Sequence, residues 1–219
     1  GRVAQYSLMY AAIVYAMLTL AILWRWLRRY CSPRATMLAL ITLLFGTNWF
    51  YYIVFEPSMS HVYDLFTAVL FFWLVNRICE GQNRTRDWAL AGLAGGLHVL
   101  MRTQNVITLA CGGAVLALIA MRQMKTAPCI SLLHLGVFVV CAVIAMLPTA
   151  YVNLSLFGNV FTIPQGNDFL RTDAPRPLEV LFSLRNGLFS HHPILLVGLL
   201  GFVLIFFARS RPIHRALWV

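Results

Sequence analysis

Phe55-Glu56-Pro57-Ser58-Met59-Ser60-His61-Val62-Tyr63-Asp64 is a polar island between two apolar runs, in a chain that is 60% hydrophobic. Ten residues hold two carboxylates, an imidazole, two hydroxyls and a phenol. If the flanking runs cross a bilayer, the island lies at one membrane face, with Asp64 already entering the next span. Ionisable groups beside hydrocarbon are costly, so they are functional candidates.

The rest of the chain fits that frame. Mean hydropathy is +0.77 and charged residues make up 11%, against roughly 25% in a soluble domain. At about 20 residues per span, 219 residues hold roughly six or seven spans. The expected fold is all-α, a polytopic transmembrane helical bundle forming one domain over 1–219. The apolar runs are Ser7–Leu27, Ala35–Val54, Val62–Val75, Trp88–Met101, Val106–Met121, Ile130–Val152 and Pro193–Ala208. The fourth and fifth are short and read as a packed helical hairpin. Gly92 and Gly96 form a GxxxG pair that admits a close helix neighbour. Residues 153–192, rich in Gly and Pro, read as one long loop lying on the membrane surface with one or two short helices. Gly1 is not a Met, and Ala216–Val219 begins a new apolar run, so both ends read as cut from a longer protein.

Charge orients the bundle. Of the 17 basic residues, 12 fall at one face: Arg25, Arg28, Arg29, Arg34, Arg77, Arg84, Arg86, Arg122, Lys125, Arg209, Arg211 and Arg215. Under the positive-inside rule that face is cytoplasmic. The island, the turn Arg102-Thr103-Gln104-Asn105 and the 153–192 loop then share the extracytoplasmic side. The net charge of +10 is spent on orientation, and no basic groove or recognition module suggests nucleic acid. The five cysteines have no metal-ligand spacing and read as unpaired thiols. No P-loop, Rossmann, HExxH or GxSxG motif is present.

Three groups of residues are candidates for chemistry. Glu56, His61 and Asp64 suit a general base, a phosphate contact or a divalent metal; solvated acids in an interfacial loop, with Ser58 or Ser60 capping a helix, are the plain alternative. Arg102, with Gln104 and Asn105, suits a phosphate oxygen; an Arg that neutralises a neighbouring Asp is the alternative. Arg185 and His191 in the long loop are placed to meet a substrate. His191-His192 is a poor metal pair, because adjacent side chains diverge.

Three passages carry a resemblance over roughly residues 35–205. They are Gly46-Thr47-Asn48-Trp49-Phe50-Tyr51-Tyr52 running into Glu56–His61, the Gly-rich Leu90–Asn105, and Ile163-Pro164-Gln165-Gly166 through Val180–Ser183 and Asn186–Ser190. Together they resemble the GT-C superfamily of polytopic glycosyltransferases, specifically bacterial relatives of the protein-mannosyltransferase and aminoarabinose-transferase group. The resemblance implies transfer of a sugar from a polyprenyl-phosphate carrier, a membrane lipid, to an extracytoplasmic acceptor at a bacterial inner membrane. It also implies a principal catalytic acid in a first extracytoplasmic loop, expected upstream of Gly1. Asp64 stands where a second acid is expected, and Arg102 where relatives often carry Arg or Lys after the Gly-rich helix. A transporter or flippase, which needs paired broken helices near the midplane, and a non-catalytic membrane scaffold are the rival readings.

Overall fold

The computed structural model describes residues 2–124, 126–160, 176–184 and 187–207. Every regular element among them is helical. Four helices are long and apolar enough to cross a membrane. They are α1 (Arg2–Leu27), α4 (His61–Cys79), α6 (Val106–Gln123) and α7 (Pro128–Phe157). Between them lie α2 (Pro33–Phe45), α3 (Trp49–Val54) and α5 (Thr85–Met101), and after them α8 (Pro177–Phe182), α9 (Leu188–His191) and α10 (Ile194–Phe207). The outward side chains of α7, such as Val140, Ile144 and Leu147, are more than half exposed. An apolar surface of that kind is what a bilayer solvates.

Several element boundaries differ from those expected, each for a local reason. The run 35–54 is two helices. The Gly46 amide closes α2 on Thr42 O at 2.7 Å. Thr47 Oγ1 then donates to Leu43 O at 2.7 Å and accepts from the Trp49 amide at 3.2 Å, starting α3. The aromatic cluster is thereby a separate short helix. Helix α4 continues past Val75 to Cys79 because Arg77 turns back over Trp73, 4.9 Å from the ring centroid, and bonds Gln82. Its methylenes stay on the helix while its charge reaches the boundary. Helix α7 runs to Phe157 and stops at Gly158, whose φ of 69° supplies the left-handed cap. The long loop therefore begins at Gly158, not at Asn153, and the side-chain amide of Asn153 caps it by donating to Val160 O at 3.1 Å. Two short helices, α8 and α9, do occupy its second half.

The expected hairpin is present, with a 3₁₀ turn over Thr103–Asn105, but α5 packs chiefly on α7 rather than on α6. The GxxxG pair makes that contact. A Cβ on Gly92 would sit 2.3 Å from Phe138 O, and one on Gly96 would sit 2.3 Å from Ala142 O. Two backbones thus touch at successive turns. In lipid, such close packing replaces the hydrophobic drive that water would supply. On the other flank of α5, the ring of Phe71 from α4 lies between Gly95 and Gly112 and is fully buried. With Ile78, Trp88, Leu116 and Phe138 it forms the main core. A second core of Ala12, Ala16, Trp49, Ile53 and Val62 joins α1, α3 and α4.

Candidate functional site

At one end of the bundle the N-terminus of α4 meets the C-terminus of α5. The two poles prefer opposite charges: a carboxylate suits the first turn of a helix and a cation the last. Asp64 lies in the first turn of α4. Arg102 follows the last residue of α5 in extended conformation, φ −153° and ψ 128°, which turns its side chain away from the helix axis.

The Arg102 guanidinium docks on the start of α4. Its Nε donates to Ser60 Oγ at 3.1 Å, and its Nη2 is 3.1 Å from both ring nitrogens of His61. The His61 ring is stacked on Tyr52 of α3, centroids 3.9 Å apart. Among the described residues, no carboxylate lies within ion-pair distance of Arg102. The guanidinium is half-buried and keeps donor capacity that no carboxylate among the described residues takes up.

Asp64 is tied differently. Its Oδ1 accepts from Asn105 Nδ2 at 2.5 Å and lies 3.2 Å from His98 Nδ1. A carboxylate only accepts, so the His98 proton belongs on Nδ1. The Asn105 amide also donates to His98 O at 2.9 Å, satisfying one of the carbonyls that α5 leaves open at its end. Thr67 Oγ1 is 3.1 Å from His98 Nδ1 and turns its hydroxyl onto Asp64 O at 2.9 Å.

The residues singled out from sequence divide as follows. Asp64, His61, Arg102 and Asn105 are brought together. Glu56 is adjacent but accepts from the Tyr51 hydroxyl at 3.2 Å and touches none of them. Gln104 is exposed on the turn, and its side chain has no hydrogen-bond partner among the described residues. His191 is exposed on α9 and makes no hydrogen bond or ion pair with the cluster. Arg185 lies outside the described residues. The alternative reading of Arg102, as the direct partner of Asp64, is not what the geometry shows: that place belongs to His98 and Asn105. His98 and Thr67 were not singled out. A lone histidine inside an apolar helix was the available signal for His98. Among the described residues no three His, Cys, Asp or Glu side chains converge as a metal-ligand set.

The opposite end ties Arg29 and Arg77 into the fold. Glu80 accepts from the Tyr30 hydroxyl at 2.5 Å and from Asn76 at 3.0 Å, and pairs with Arg29. Burial alone would raise the Glu80 carboxyl, but these hydrogen bonds and the cation hold it below its ordinary value. Burial, then the bond to Glu80, pushes the Tyr30 phenol up. Asp87 is buried, bonds the Arg84 amide at 3.3 Å as an N-terminal cap, and lies 3.8 Å from Arg77. Trp88 Nε1 donates to Asn83 Oδ1 at 2.6 Å, and Asn83 Nδ2 donates to Gln123.

No curated protein and no solved structure matches the chain. Residues 2–149 match the family model described as dolichyl-phosphate-mannose-protein mannosyltransferase, a stretch that includes α1 to α6, most of α7 and the whole Asp64–Arg102 cluster. The chain belongs to that family of membrane glycosyltransferases, whose sugar donors are lipid-linked.

Proposed function

We propose that the protein takes part in transfer of a sugar from a polyprenyl-phosphate carrier to an acceptor on the extracytoplasmic side of a bacterial inner membrane. The observation that carries this reading is the Arg102 guanidinium. It is held in place by Ser60 and His61, stands beside Asp64, and makes no ion pair with a carboxylate among the described residues. A half-buried cation that no described carboxylate bonds is suited to an anionic ligand, and guanidinium matches phosphate oxygens. In the transfer, the bond from the anomeric carbon to the carrier phosphate oxygen breaks, and the electron pair stays on that phosphate. A cation fixed in advance stabilises the charge as it develops. The acceptor hydroxyl attacks the anomeric carbon and gives up its proton to a base.

Asp64 forms the acidic wall of this site, with His61 and Glu56 next to it. Its Oδ1 is committed to Asn105 and His98, which leaves Oδ2 for the sugar or the acceptor. The orientation rests on the sequence pattern of 12 basic residues flanking the apolar runs at the opposite ends, read by the positive-inside rule. Gln104, Arg185 and His191 remain candidates for substrate contact from the turn and the loop.

The test is sugar transfer by the full-length protein in membranes, using radiolabelled polyprenyl-phosphate sugars. Asp64→Ala is expected to abolish transfer and Arg102→Ala to lower it roughly 100-fold. Unchanged turnover at normal expression in either variant would sink the assignment.

A further inference from the structure

We propose that His98 is a positioning residue for this site: by donating from Nδ1 to Asp64 it sets the turn that aims Arg102. The inference rests on the transfer reading given above for Arg102. His98 is 3% exposed, so it is walled off from the face where substrate arrives and acts through its neighbours. Its Nδ1 lies 3.2 Å from Asp64 Oδ1. The same oxygen accepts from Asn105 Nδ2 at 2.5 Å, and Asn105 returns to His98 O at 2.9 Å. The three residues therefore close a ring of hydrogen bonds across α4, α5 and the 3₁₀ turn.

Arg102 is the residue at which that ring leaves α5. It is bracketed in sequence by His98 and Asn105, and its backbone O accepts from the Asn105 amide at 3.0 Å. If the carboxylate rotates, the Asn105 clip goes with it and the turn loses its anchor on α4. Thr67 steadies the arrangement from below. Its hydroxyl is spent on Asp64 O and Tyr63 O, so toward His98 it can only accept. The Asn105 amide nitrogen is also 3.4 Å from Nδ1, but its two hydrogens go to Asp64 Oδ1 and His98 O, so Nδ1–H has Asp64 and Thr67 as its acceptors and one tautomer is kept. The neighbouring α5 positions are glycines locked against α7 and Phe71, so the helix bearing His98 is rigid and transmits the placement.

The experiment compares His98→Leu with His98→Asn in the full-length protein. Leu keeps the volume of the α4–α5 seam and removes the donor. Asn restores a nitrogen donor at the position of Nδ1, one bond beyond Cγ. In the protein without donor substrate, H98L is expected to speed hydrogen exchange at the amides of Thr103–Val106, and H98N to return it to the wild-type rate. With a radiolabelled polyprenyl-phosphate sugar, H98L is expected to raise the donor KM roughly tenfold, as loss of a hydrogen bond to a charged group would, and H98N to recover most of it. Should H98L fail to reach the membrane, His98→Ala carries the same comparison. Wild-type exchange and KM in H98L would overturn the proposal, as would H98N impaired as badly as H98L. The exchange measurement needs no sugar donor. If the wild-type protein transfers from no polyprenyl-phosphate sugar, the transfer reading falls, and exchange alone decides the role of His98.

Discussion

Replacing Arg102 by Lys separates charge from shape. Lys keeps the cation but loses the fork that reaches Ser60 and His61 together. We predict that R102A lowers kcat/KM for the lipid-linked donor by roughly 100-fold, the scale on which a fixed donor to a developing anion acts. R102K should recover part of that loss, about tenfold short of wild type. The check is steady-state transfer in membrane preparations; equal losses in both variants would point to folding rather than phosphate contact. Asp64 was legible in the sequence as an acid one turn inside an apolar run, and Arg102 as a charge at a hairpin tip. That the two do not pair was not legible. It depends on Asn105 and His98 reaching Asp64 first, from positions 41 and 34 residues away.

At the scale of helices, the close approaches of α5 are the points of greatest sensitivity. A side chain on Gly96 must displace the backbone of Ala142, which a helix in regular hydrogen bonding cannot move cheaply. We predict that Gly96→Leu lowers stability by more than ~3 kcal/mol, seen as early unfolding in detergent. Gly112→Ala meets only the Phe71 ring, 2.5 Å from the added Cβ. Its cost should shrink when Phe71 is also cut to Ala, a variant that alone costs about 3–5 kcal/mol. A double-mutant cycle measures this, and strictly additive losses would show that the two positions do not share the cavity. The GxxxG spacing foretold a close neighbour but not its identity, because glycine spacing describes one surface and α7 lies 32 residues beyond the end of the pair in no fixed register.

For the whole molecule, charge and pH report on the two ends. The folded Glu80 carboxyl titrates below its unfolded value, so its bonds to Tyr30, Asn76 and Arg29 contribute stability above the unfolded pKa. That contribution is lost as pH falls through the folded one. Unfolding followed from neutral to acid pH should therefore show a loss in wild type that Glu80→Gln diminishes. Orientation is open to labelling. Cys31 is exposed at the basic end and Gln104 is exposed at the other. A membrane-impermeant thiol reagent applied outside intact cells is expected to label Gln104→Cys and spare Cys31; the reverse pattern would invert the bundle and move the proposed chemistry to the cytoplasm.

The sequence by itself determined that this is a helical membrane protein and where most of the described helices run, and it singled out Asp64, His61, Arg102 and Asn105, which the structure brings together. These follow from local properties: apolar run length, breaker residues and the side on which arginines fall. It also held the likeness to polytopic glycosyltransferases in short motifs that the family match then supported over residues 2–149. Only the tertiary structure decided that 35–54 breaks in two, that α5 seats on α7, and that His98 rather than Arg102 answers Asp64. Each of those turns on which donor lies nearest in space, and a hydrogen bond loses most of its strength within an ångström. Spacing along a chain does not resolve a distance of that size between helices that meet only after folding.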